Sequence, residues 1–182
     1  VSTGSTPVTD ASALHAIRLI STYLALAVED GKNEKARDMM AYAEFLAGMA
    51  FNSAGLGYVH AMAHQLGAFY NAPHGVCNAV LLPVVQEYNG KYVPKLFCDI
   101  ALAMGFTDVG EDGEKAVTCV LKAIRDLSAK VGIPKNLKDL KAKPEDFSTL
   151  ADNAMKDACG FTNPKQPTKE EVMALFQQAY DQ

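Results

Sequence analysis

Three of the four histidines in this 182-residue chain, His60, His64 and His74, fall within one stretch, "GLGYVHAMAHQLGAFYNAPHGVCNAVLLP" at 55–83. Most of their neighbours are small, aliphatic or aromatic. Imidazole in such company is either a hydrogen-bonded core residue or a working group, and spacing bears on which. His60 and His64 are four apart, so on a helix they share one face about a turn from each other. His74 follows Asn71-Ala72-Pro73, and the residue before a proline is pushed out of the helical region. A chain that reverses there brings the third imidazole back toward His60. Imidazole suits zinc, iron, nickel or copper, whereas magnesium and calcium prefer oxygen. Two such histidines supply half of a four-ligand site.

Other chemistries have less support. Cys77 or Cys159 paired with a histidine would make a nucleophile, but Cys77 lies in an apolar segment where a buried, inert thiol is expected. Gly55, Gly57 and Gly67 form neither GxGxxG nor a phosphate loop, and no strand precedes them. Close helix packing accounts for them. His15, in "ASALHAIRL", has no partner nearby and is expected at a surface or helix contact. Phe51, Phe69 and Tyr70 are expected in the core by residue type.

The elements that must position these residues read as helices. "TPVTDASALHAIRLISTYLALAVEDG" offers Thr6 or Thr9 as a cap, Pro7 near the first turn, and apolar residues at Leu14, Ile17, Leu24 and Val28, ending near Gly31. A second helix starts at Asn33 and becomes increasingly apolar, so its second half is expected to be buried. Residues 57–70 form a third, 75–88 a fourth with Pro83 inside it, and "VPKLFCDIALAMG" a fifth. "EDGEKAVTCVLKAIRDLSAKVG" is amphipathic, with Val117, Val120, Leu121, Ile124 and Leu127 on one stripe. "KPEDFSTLADNAMKDACG" and "TKEEVMALFQQAYDQ" each open with a capping signal, the latter from Thr168 and Glu171. No run alternates with period two, so the fold class is all-α, one helical domain over 1–182. The Lys- and Pro-rich loop at 132–144 is the expected hinge.

Charged residues are 21% and hydrophobic residues 49% of the chain, and the net charge is −4. The isoelectric point near 5.5 and the lack of a basic block argue against nucleic acid or an anionic membrane as partner. Cys77, Cys98, Cys119 and Cys159 form no CxxC pair, and no charged-then-apolar leader opens the sequence, so a reduced, cytoplasmic protein is expected. Unbroken apolar runs such as "AVLLPVV" fall far short of the roughly 20 residues of a bilayer span, and no membrane helix is expected.

The stretch "AFNSAGLGYVHAMAHQLGAFYNAPHGVCNAVLLP" (50–83) resembles the signature region of the iron-containing, or group III, alcohol dehydrogenases, which include lactaldehyde and 1,3-propanediol dehydrogenases. "VSTGSTPVTDASALHAIRLI" and "DACGFTNPKQPTKEEV" extend the likeness over the whole chain. The resemblance implies the helical C-terminal domain of the dehydroquinate synthase-like fold, lacking the N-terminal dinucleotide-binding domain. It places His60 and His74 on two of the family's four metal ligands and His64 on the histidine beside the nicotinamide, where it would serve catalysis and cofactor binding. Phe51 and Cys159 fall on residues lining the substrate pocket. The other two ligands, an Asp and a His four residues later, lie in the family upstream of this chain's "VSTG". Asp10 and His15 do not replace them, because their stretch matches a later part of the family and their spacing is five.

The cofactors implied are Fe(2+), with Zn(2+) compatible with the same ligands, and NAD or NADP. Iron would polarise an alcohol oxygen and the nicotinamide would accept hydride. Partners would be a small alcohol or aldehyde, the missing N-terminal domain and other copies in a homo-oligomer. This chain alone is expected to be inactive. Two other readings stand beside this one. The chain could be a self-sufficient helical binding or scaffold module with structural histidines. It could also be a zinc hydrolase using all three histidines, which requires them to converge on one point; the resemblance implies that they do not.

Overall fold

Thr6 opens the first helix, α1 (Pro7–Glu29): its hydroxyl accepts from the Thr9 amide, while Thr9 Oγ1 accepts from the Thr6 amide at 2.8 Å, and Pro7 takes the first helical position. Asn33 caps α2 (Glu34–Ala54) by accepting from the Ala36 amide. The short connection between them lays α2 back along α1. Then come α3 (Tyr58–Tyr70), α4 (His74–Gly90), α5 (Leu96–Ala103), α6 (Gly113–Lys130), α7 (Phe147–Ala154) and α8 (Lys169–Asp181). Two 3₁₀ turns, Pro144–Asp146 and Ala158–Thr162, flank α7. This computed structural model describes residues 1–182 and contains no strand, as the absence of alternating runs predicts.

The main core lies between α3, α4, α7 and α8, where Met62, Leu66, Cys77, Leu81, Val84, Val85, Leu150 and Phe176 are fully buried. Each large apolar side chain there contributes roughly 1.5–3 kcal/mol. A smaller cluster joins α5 and α6 through Phe97, Ala101, Ala116 and Val120. The turn between α3 and α4 is local chemistry: Asn71 adopts the left-handed region at φ 51°, which asparagine tolerates, and Pro73 caps α4 in extended backbone. α3 and α4 therefore form a hairpin whose facing surfaces carry His60, His64 and His74.

Several expectations need correction. The predicted helix over 143–160 breaks at Ala154, because Asp157 takes the Cys159 amide on its own carboxylate and starts the second 3₁₀ turn there. The second half of α2 is largely exposed: Phe45 is 67% and Phe51 47% exposed, and the residues buried there are the small Ala43, Ala50 and Ala54. Phe69, at 45% exposed, is likewise outside the core, and Tyr70 is half-buried. His15 is exposed, as expected. The loop at 132–144 is pinned, with Leu137 fully buried, its amide donating to the Ala179 carbonyl, and the Tyr70 hydroxyl bonded to both Asp146 and the Lys143 amide. By length and composition alone α1 could cross a membrane, while in this fold it packs along α2.

Candidate metal centre

His60 and His64 stand one turn apart on α3, and His74 is the first residue of α4. The hairpin gathers all three rings: centroids are 5.4 Å apart for His60 and His74, 5.4 Å for His64 and His74, and 6.0 Å for His60 and His64. A ring nitrogen offers its lone pair in the plane of the ring, so orientation decides which rings can share an ion. His60 and His74 are tilted by 49°, whereas His64 stacks on His74 at 23°. The three rings cluster, yet the one set of three ligand atoms lying within 4.8 Å of one another is a different one, His64, Asp157 and Cys159.

Burial lowers the basicity of His60, and the neighbouring His74 and His64 lower it further, against a small opposing pull from Asp157. His60 is thereby kept as the neutral imidazole that a metal requires. His74 Nε2 accepts from Asn78 Nδ2 at 3.2 Å, and the same Asn78 amide donates to the His74 carbonyl at 3.0 Å. An in-plane lone pair that accepts a hydrogen bond is the one a metal would take. The donor set of His60 and His74 fits two positions of a divalent transition metal and does not suit magnesium or calcium.

His64 is held differently. Its Nδ1 lies 2.8 Å from Asp157 Oδ2, and the other carboxylate oxygen accepts from the Cys159 amide at 2.9 Å. Burial pushes the Asp157 carboxyl up, but the bonds from His64 and Cys159 outweigh it and hold the group below the usual carboxylate range. The Cys159 thiol is pushed up to about 11, by burial first and then by its hydrogen bond to Asp157. At neutral pH this trio is thus a carboxylate between two proton donors. Cys77 is fully buried and its thiol is pushed up by burial, as the inert reading expects.

Sequence reasoning missed Asp157, Asn78 and Asn163. Asp157 was legible only as an Asx turn in "DACG", and nothing local links it to His64, 93 residues away. Asn163 accepts from the Tyr58 amide at 3.2 Å, so the start of the helix carrying His60 and His64 rests on a side chain from the far end of the chain. Of the pocket residues, Cys159 adjoins His64 through Asp157, while Phe51 lies on the exposed face of α2 three residues before that helix ends.

Comparison with known proteins bears on this geometry. The model of the "Fe-containing alcohol dehydrogenase family, C-terminal" matches residues 1–180. Alcohol dehydrogenase 4 of Saccharomyces cerevisiae is 55% identical over 183 residues, covering 100% of this chain and 46% of that protein. The 1,3-propanediol dehydrogenase of Citrobacter freundii is 51% identical over 180 residues, 99% of this chain and 46% of that protein. A solved structure of an alcohol dehydrogenase from Oenococcus oeni, 50% identical, superposes with a TM-score of 0.96 over 99% of this chain and 47% of its own. The chain thus spans about half the length of the curated relatives it matches. With a helical hairpin that gathers three imidazoles and a family model matched almost from end to end, this chain belongs to the iron-containing alcohol dehydrogenase family, as its C-terminal, all-helical domain.

Proposed function

We propose that this chain supplies the metal-holding half of an iron-dependent, NAD(P)-linked alcohol dehydrogenase that interconverts small primary alcohols or diols with aldehydes. Residues outside this chain complete the site, and the chain alone is inactive. The observation that carries the reading is the approach of His60 and His74, from two helices, to 5.4 Å between rings. His60 and His74 would hold the metal. When bound, the iron supplies Lewis acidity to an alcohol oxygen and the nicotinamide supplies the hydride chemistry.

His64 is not a ligand in this reading: its ring stacks on His74, and the family resemblance sets it beside the nicotinamide. It accepts the substrate hydroxyl proton at Nε2 and helps orient the nicotinamide. In this reading Phe51 and the protonated Cys159 thiol would line the substrate side of the site and favour short substrates. The exposed Tyr42, Phe45 and Met49 on α2 suit burial against other protein, either the rest of the polypeptide or a second copy. Iron rather than zinc follows the family, since imidazole accepts both.

The test is metal content by mass spectrometry after anaerobic reconstitution with ferrous iron, comparing this chain with the full-length protein. Near-stoichiometric iron in the long form, almost none in the short one, and loss of iron in full-length His74→Ala are expected. Iron in neither form, or undiminished iron in His74→Ala, overturns the assignment. A second reading, a three-histidine zinc site complete within this chain, requires the three ring nitrogens to converge, and they do not lie within 4.8 Å of one another. One equivalent of zinc on the chain alone, lost in His64→Ala, is its signature.

A further inference from the structure

The pairing of Asp157 with His64 goes beyond that reading and rests on it. An ionised carboxylate can only accept, so the proton of the 2.8 Å contact must sit on His64 Nδ1. When the ring carries a single proton, Nε2, on the side of the ring away from Asp157 and without a hydrogen bond to the protein, is left as the bare acceptor. Asp157 cannot rotate away, because its second oxygen is fixed at 2.9 Å by the Cys159 amide, whose 3₁₀ turn it caps. The turn is itself tied back to the start of α3: the Thr162 hydroxyl donates to the Leu56 carbonyl at 3.1 Å and the Asn163 side chain accepts from the Tyr58 amide at 3.2 Å. Both ends of the contact are therefore held by the same junction.

We propose that Asp157 is a positioning residue, which fixes His64 as the Nδ1–H tautomer so that Nε2 is the atom that receives the substrate proton. In that step the substrate O–H bond breaks with its electron pair left on oxygen, the Nε2 lone pair forms the new N–H bond, and the resulting imidazolium is stabilised by the carboxylate at Nδ1. Cys159 contributes through its amide rather than as a nucleophile.

The geometry makes Asp157→Asn an informative variant. The Cys159 amide can only donate, so it selects the orientation in which the new side chain turns its oxygen to Cys159 and its NH₂ to His64. A donor at that point requires Nδ1 to accept, which moves the imidazole proton to Nε2. Long-range ¹H–¹⁵N correlation spectra of the 182-residue chain near neutral pH read this directly. We expect a protonated Nδ1 and a bare Nε2 for His64, exchanged in Asp157→Asn and restored in Asp157→Glu. In the iron-loaded full-length protein, Asp157→Asn should lower kcat by about 10²-fold or more with iron content and KM unchanged, and Asp157→Glu should recover part of it. Protonated Nε2 in the unaltered chain overturns the proposal, and so does a tautomer exchange that leaves kcat intact. The spectra need neither metal nor turnover, so retention of iron by His74→Ala would sink the metal-site reading while leaving the tautomer result standing.

Discussion

Asn89 and Asn163, 74 residues apart, face each other as a closed amide pair: Asn163 Nδ2 donates to Asn89 Oδ1 at 2.8 Å and Asn89 Nδ2 donates back at 3.3 Å. Both are almost wholly buried. Asn163 also donates to the Lys165 carbonyl at 2.8 Å and accepts from the Tyr58 amide at 3.2 Å, so its whole hydrogen-bonding capacity is used. One side chain thereby joins α4, the 3₁₀ turn and the first turn of α3.

Asn163→Ala should consequently be costly, since it strands the buried Asn89 amide and Tyr58 N–H and takes a donor from the half-buried Lys165 carbonyl. Two or three such groups at about 1–3 kcal/mol each predict a loss of about 3 kcal/mol, and a fall in Tm of about 6–12 °C. Asn89→Ala should cost less, and the double variant should cost at least about 1 kcal/mol less than the two singles summed. Thermal melts of the three variants check this; additive losses would mean that the pair is not coupled.

Gly90, the buried last residue of α4, lies against Val117 of α6, and a Cβ there would come within 2.8 Å of Val117 Cγ1 and 2.9 Å of Cγ2. Helix propensity alone favours alanine over glycine by about 1 kcal/mol. A β-branched valine has little freedom to move aside, so packing wins and Gly90→Ala should destabilise by about 1–3 kcal/mol. Denaturant titration of the double variant Gly90→Ala/Val117→Ala should show at least about 1 kcal/mol recovered relative to the summed singles. A stabilising Gly90→Ala would refute the close approach.

What was legible in the sequence is what a few adjacent residues decide. Thr6 with Thr9, and Thr168 with Glu171, form both halves of their capping boxes as the spacing predicts. The Asn71-Ala72-Pro73 turn ends α3 and places His74 at the head of the next helix, so the approach of His74 to His60 could be read from the turn. The end of α7 could not, because helix-forming residues continue past Ala154 and the break comes from a side chain that captures a backbone amide. Exposure of Phe45 and Phe51 was hidden for another reason. Residue type reports the tendency to be buried, whereas burial depends on which surface packs there, and α2 presents alanines to α1.

Tyr70 gives a stability change with a definite sign in alkali. Burial, then the hydrogen bond to Asp146, push its phenol up to about 12, while the bond from the Lys143 amide opposes them. Its hydroxyl donates to Asp146 Oδ2 at 2.7 Å, so only the protonated phenol supports the contact. An acid whose folded pKa is raised binds its proton more tightly when folded. Its contribution is therefore complete below the unfolded value near 10 and fades as pH rises through about 12. Tyr70→Phe should cost about 0.5–1.5 kcal/mol at pH 8, and the difference from the unaltered chain should shrink toward zero by pH 12, as read by urea titrations at a series of pH values. A gap that stays constant over this range would sever the phenol from the 132–144 loop.

Thiol chemistry separates two cysteines that look alike in composition. Cys77 is shut in the main core, so alkylation must wait for the core to open. Cys159 is only partly buried, and its reactivity is limited by charge instead: with the thiol pushed up to about 11, only about 10⁻³ of it is thiolate at pH 8, against roughly a quarter of a free cysteine. Iodoacetamide should therefore label Cys159 at least about 10²-fold more slowly than a free cysteine at pH 8, with the rate rising about tenfold per pH unit toward 11. Cys77 labelling should instead follow the opening of the core and fall to nothing where the chain is most stable. Replacing the neighbouring carboxylate, in Asp157→Asn, should speed Cys159 and leave Cys77 unchanged, because only Cys159 shares a hydrogen bond with it. Peptide mass spectrometry over a pH series resolves the two sites, and a Cys159 that labels at the free-thiol rate would contradict the proton-rich trio of His64, Asp157 and Cys159.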